Sequence, residues 1–139
     1  LNGLVSTKKR DGNMATALDS WHEIIRNGDA SALDTLIADD AVFHSPVVHT
    51  PQVGKAIVVK YLTAAANVLL DESFKYLREM VDERQAMLEF QVTLDDIVIN
   101  GVDHIRWNDN NQIIEFKVWV RPLKGMQKLH QAMAKKLET

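Results

Sequence analysis

The sequence contains no cysteine. A disulfide framework, thiolate metal sites and thiol nucleophiles are therefore excluded together. Only 3 prolines and 6 glycines are spread over 139 residues, and no low-complexity tract or internal repeat divides the chain. No apolar run approaches the roughly 18 to 20 residues that a membrane-spanning helix needs. The formal charge of -3 gives no electrostatic basis for a nucleic-acid partner or an anionic membrane. No glycine-rich phosphate loop and no nucleophile elbow occurs, and the five histidines show no H-x-x-x-H spacing. Neither a metal nor a cofactor is expected.

At 139 residues and 46% hydrophobic, the chain has the size of one domain, able to bury about two-thirds of its unfolded surface. The opening "LNGLVSTKKRDGN" has no helical or strand period, and its basic cluster is not followed by the apolar segment of a signal peptide. Residues 1–13 are expected to be a leader or a disordered tail, and 14–139 a single domain of a cytosolic protein.

From Met14 to Asn27, Ala17, Leu18, Trp21, Ile24 and Ile25 recur at helical spacing, and Gly28 stops the helix. "SALDTLIADD" reads as a second short helix with a capping pattern at Ser31 and Asp34. "AVFHSPVV" reads as a strand broken at Pro46, followed by a loop over 47–53 and a third helix, "KAIVVKYLTAAANVLL". The period then changes from 3.6 to 2. "ESFKYLREMV" and "RQAMLEFQVTL" are strands that turn near Asp82 and Glu83.

The next turn falls either at Asp95-Asp96 or at Asn100-Gly101, the stronger hairpin signal by itself. A strand ending near Trp107, a turn at "NDNN" and a last strand over 112–121 complete a four-strand meander. On the last strand Ile114, Phe116, Val118 and Val120 share one face; Glu115, Lys117, Trp119 and Arg121 share the other. Residues 124–137 form a final helix. Strands grouped after helices indicate an α+β fold.

This order resembles the nuclear transport factor 2-like, or SnoaL-like, superfamily. The resemblance rests on "NGDASALDTLIADDAVFHSPVV", "VGKAIVVKYL" and "GVDHIRWNDNNQIIEFKVWVRPL", and it covers residues 14 to about 137. It implies a cone in which a curved antiparallel sheet wraps around the N-terminal helices, with an added C-terminal helix and an apolar pocket open at one end. It also implies a homodimer formed through the back of the sheet. Relatives include ketosteroid isomerases and polyketide cyclases, so fold alone leaves function open.

Set against the ketosteroid isomerases, Asp103 in "GVDHIRW" matches the aspartic acid that donates a hydrogen bond to the substrate oxyanion. Ser45, preceded by His44, stands where the general-base carboxylate follows the first strand. Trp21 stands where the oxyanion tyrosine lies on the first helix. Asp103 shares its strand parity with Ile105 and Trp107, and burial among apolar groups raises a carboxyl pKa.

The expected function is a small-molecule pocket protein performing cofactor-independent acid–base chemistry on a small apolar carbonyl compound. Isomerisation, cyclisation and dehydration are the reaction types. Asp103 would be the donor or acid and His44 the base. Trp21, Ser45, Tyr61, Phe90, Ile105, Trp107, Phe116 and Val118 would line the pocket. Trp119, Lys117 and Arg121, on the polar face of the last strand, would form the dimer interface. The alternative is a non-catalytic ligand-binding or dimerising accessory protein of the same fold.

Overall fold

The computed structural model describes residues 16–138; the leader expected over 1–13 and the helical start at Met14 lie outside the described residues. Helix α1 spans Ala17–Asn27. It starts in a reciprocal capping box: Thr16 Oγ1 accepts from the Asp19 amide at 3.2 Å, and Asp19 Oδ2 accepts from the Thr16 amide at 2.9 Å. It ends at Gly28, whose φ of 71° is the left-handed conformation expected there. Among the described residues no helix is long and apolar enough to cross a membrane.

The segment expected as a second helix divides instead. A 3-10 turn over Ala30–Ala32 is capped by Asp29, which accepts from the Ser31 amide and hydroxyl, so the cap lies two residues before the Ser31 position expected. Helix α2 is a single turn, Leu33–Leu36. "IADD" already belongs to strand β1, Ile37–His44. Sheet pairing overrides the helical pattern there, because Ile37 lies opposite Ile113 and both are fully buried.

The loop after β1 contains a two-residue strand, β2 (Gln52–Val53), and leads into α3, Lys55–Leu69. Strands β3 (Lys75–Asp82), β4 (Gln85–Leu94), β5 (Ile97–Trp107) and β6 (Ile113–Arg121) form the antiparallel meander. Helix α4, Leu123–Leu137, closes the chain. The six strands lie in the order β2-β1-β6-β5-β4-β3, an open sheet. The fold is α+β, and the sheet is mixed rather than wholly antiparallel, since β1 runs parallel to β6.

The turn between β4 and β5 is Asp95-Asp96, both with positive φ. Asn100-Gly101 lies inside β5 instead. A Cβ on Gly101 would sit 2.4 Å from the Trp119 carbonyl oxygen and 2.5 Å from Phe90 Cζ. Close approach of a neighbouring ring, not a turn, selects glycine there.

Register irregularities occur between Tyr76 and Arg78, between Arg106 and Trp107, and along β1. Such bulges bend a sheet. The one at the start of β6 moves parity by a residue: Ile113 is fully buried opposite Trp107, while Ile114 is only half-buried. Strict alternation had placed Ile114 on the core face; the extra residue shifts that place to Ile113.

Candidate functional site

Strand β5 buries Ile99, Gly101, Asp103, Ile105 and Trp107, the odd-numbered face that meets the helices. Asp103 is thereby fixed between Leu88 of β4 and Val118 of β6, and it is the one buried charged residue among those described. Its Oδ2 accepts a hydrogen bond from the Tyr76 hydroxyl at 2.6 Å. Tyr76, on β3, accepts in turn from Trp21 Nε1 at 2.9 Å. Oδ1 of Asp103 has no hydrogen-bond partner among the described residues.

Burial pushes the Asp103 carboxyl up from 3.8 to about 7, with the Tyr76 hydrogen bond pulling it partly back. The same burial, reinforced by the nearby carboxylate, holds the Tyr76 hydroxyl well above the ordinary tyrosine value. Near neutral pH the site therefore contains a carboxyl able to hold its proton and a tyrosine that keeps its own.

Asp103 looks into a cavity of about 180 Å³. Its inner wall is Trp21, Leu33, Phe43, Phe116 and Leu129, all buried. Exposed Val48, in the loop after β1, and exposed His130, on α4, also line it and mark its mouth. Trp21 meets Phe116 edge-on at 4.9 Å, and Tyr61 lies tilted against Phe43 at 5.4 Å. The Tyr61 hydroxyl and the His130 imidazole have no hydrogen-bond partner among the described residues. Nor do the described residues contain a cluster of three acidic or histidine side chains able to hold a metal ion.

Residues 18–116 match the model of the SnoaL-like domain family. The chain belongs to the SnoaL-like family. A steroid delta-isomerase from Pseudomonas aeruginosa is similar over 88% of this chain and 89% of that one, with 36% identity and a TM-score of 0.83. An uncharacterised bacterial protein with a cystatin-like fold from Silicibacter pomeroyi is 30% identical over 92% of this chain and 89% of that one, with a TM-score of 0.81. An NTF2-like protein of unknown function from Mesorhizobium loti shares the fold at 20% identity, covering 76% of this chain and 88% of that one with a TM-score of 0.65. No curated protein matches the chain significantly.

Within this SnoaL-like chain, Asp103, Trp21, Ser45, Tyr61, Phe116 and Val118 meet around the cavity. Phe90, Ile105 and Trp107 do not line it. Ile105 and Trp107 pack in the main core beside it, and Phe90 stacks on Phe74 in a second core cluster.

His44 faces away from the cavity. Alternation along β1 sends Phe43 inward and His44 outward, where its Nε2 lies 2.9 Å from Glu115 Oε2. Glu115 also accepts from Arg106 at 2.7 Å. The side chain expected to act as base at His44 is thus hydrogen-bonded to Glu115 on the outer side of the sheet, away from the cavity. Ser45 reaches the cavity, but its Oγ accepts from the Val47 and Val48 amides at 3.1 and 3.3 Å and so builds the turn at Pro46.

Three contributors lie outside the residues expected from the sequence. Tyr76 shares strand parity with Phe74, and that shared face is the signal available for it in the sequence. Phe74 itself lines the cavity. Helix α4 supplies Leu129, His130, Met133 and Leu137, but nothing local tells a helix face that covers a cavity from one that covers a core.

Proposed function

We propose that the protein binds a small, mostly apolar carbonyl compound and acts on it by cofactor-independent proton transfer, with Asp103 as donor or acid. One observation carries this reading: a buried carboxyl with one oxygen unpartnered, in an otherwise apolar cavity. Buried polar atoms are almost always satisfied, so an unpaired one at a cavity wall points to a ligand atom. The isomerase relative favours an isomerisation, in which a proton leaves the carbon beside the carbonyl and returns further along the chain.

The cavity of about 180 Å³ compares with the roughly 150 Å³ of an engineered site that holds benzene. It lies well below the roughly 300 to 1,000 Å³ of pockets for drug-sized ligands. A single ring or a short branched chain suits it better than a four-ring steroid. With His44 outside, the lining imidazole of His130 is the group to which this reading assigns the migrating proton.

The test uses cyclohex-3-enone, whose conversion to the conjugated cyclohex-2-enone is followed by ultraviolet absorption. Acceleration over buffer is expected, with a loss of about 100-fold or more in Asp103→Asn. No acceleration together with no binding of either ketone would defeat the reading. Binding without turnover would favour the second reading, a non-catalytic carrier, for which the presence of Ser45 and the absence of a second carboxylate among the described lining residues already speak.

We further infer that a second copy of the chain docks on the sheet face turned away from the helices. Trp119 is 50% exposed there, with Lys117 Nζ 4.8 Å above its ring and Arg121 beside it, bonded to Asn100 at 3.4 Å. Half-exposed Met87 and Val98 share that face.

A further inference from the structure

The hydrogen bonds around Asp103 have a direction that donor and acceptor chemistry determines. An indole Nε1–H can only donate, so at 2.9 Å from Tyr76 Oη the Trp21 ring takes one of that oxygen's lone pairs. The Tyr76 hydroxyl has one proton, and its only acceptor among the described residues is Asp103 Oδ2, 2.6 Å away. Were Asp103 to donate to Tyr76 instead, the Tyr76 proton would be left in a half-buried site without an acceptor, which folded proteins avoid. Oδ2 therefore accepts, and the carboxyl proton resides on Oδ1, the oxygen with no protein partner among the described residues.

We propose that Trp21 and Tyr76 are positioning residues that make Asp103 a one-directional donor, with Oδ1 alone presenting a proton to the cavity. The cavity would then select neutral ligands carrying an acceptor oxygen over hydrocarbons of the same size. This deepens the proposed reading and rests on it for the ligand; the direction of the donor chain does not depend on it.

The surroundings support the assignment. The strand neighbours of Asp103, Leu88 and Val118, are apolar. Beyond Tyr76 stands His22, with its ring 6.1 Å from the tyrosine ring and paired to Glu79 at 2.9 Å. From the helices, Tyr61 of α3 and His130 of α4 are the titratable groups that share the cavity with Asp103.

The experiment has two arms. In the first, aspartate labelled with carbon-13 at the carboxyl is followed by NMR across pH without ligand, in the wild type, Trp21→Phe and Tyr76→Phe. The wild-type midpoint is expected at about 7. Tyr76→Phe should raise it, because the lost donation had favoured the ionised form. Trp21→Phe should raise it by less, because Tyr76 stays but becomes free to accept as well as donate. An unmoved or lowered midpoint in Tyr76→Phe overturns the proposal, and that variant, which removes one oxygen, decides alone if Trp21→Phe does not fold.

In the second arm, cyclohexanone and methylcyclohexane are bound to the same proteins. Tyr76→Phe should lower the preference for the ketone by about fivefold, the worth of one hydrogen bond. A ketone-binding wild type with an unmoved Tyr76→Phe midpoint sinks this inference alone. A midpoint that shifts as expected in a protein that ignores cyclohexanone upholds the donor direction and removes the ligand reading.

Discussion

Replacing Asp103 with asparagine should change the pH dependence of stability more than stability itself. The native carboxyl titrates at about 7 and an aspartate in the unfolded chain near its ordinary 3.8. Below pH 4 both states hold the proton, and the group contributes no penalty. Between pH 4 and 7 the unfolded chain releases its proton while the native state keeps it, so wild-type stability falls as pH rises. Above about 7 both forms are ionised and the loss levels off. Each tenfold difference in proton affinity is worth about 1.4 kcal/mol, which puts the accumulated loss at about 4 kcal/mol. For a domain held by some 5 to 15 kcal/mol this is a large fraction.

Asparagine keeps an oxygen for Tyr76 and carries no charge, so the variant lacks this slope. Urea unfolding of both proteins at pH 4, 5, 6, 7 and 8 isolates the effect, because every other titrating group cancels in the difference. The variant should gain on the wild type by about 4 kcal/mol between pH 4 and 8, whatever constant offset the unpaired amide introduces. A difference that stays flat over that range would mean that the native carboxyl is ionised like one in water. The buried donor would then be refuted, and the proposed chemistry with it.

Two further outcomes are expected. Gly101→Ala should destabilise by about 1 to 3 kcal/mol, read from the thermal midpoint, because the new methyl meets the Trp119 carbonyl oxygen at 2.4 Å and the backbone of a central strand yields little. An unchanged midpoint would show that β5 and β6 can part there. Trp119→Asp should convert a dimer into a monomer in sedimentation velocity while leaving the fold intact; a wild type that is already monomeric at micromolar concentration would remove the proposed interface.

Most of the architecture was legible because it rests on period and punctuation. The switch from helical to alternating spacing after Asp71 located the meander, and Gly28 stopped α1 where expected. The failures share a cause, a long-range contact that overrides a local pattern. "IADD" follows a helical run, yet Ile37 is drawn into the sheet by Ile113, 76 positions away in sequence. Asn100-Gly101 has the composition of a turn, yet its glycine exists to admit the ring of Phe90. Neither partner can be inferred from the segment it reshapes.

The site divides along the same line. Asp103 was legible because β5 runs unbroken from Ile97 to Trp107, so parity carries back from Ile105 and Trp107 to the carboxyl. His44 was harder, because two residues beyond it the chain turns at Pro46, and only alternation from the buried Phe43 could show it facing outward. Tyr76 precedes the bulge in β3, so its shared face with Phe74 was readable, but nothing local shows that its hydroxyl reaches a carboxyl two strands away. Parity is therefore reliable only over an unbroken strand, and bulges mark where it stops. Here the carboxyl could be found from parity alone, whereas the hydroxyl that orients it is brought in by a contact across β4 from another strand.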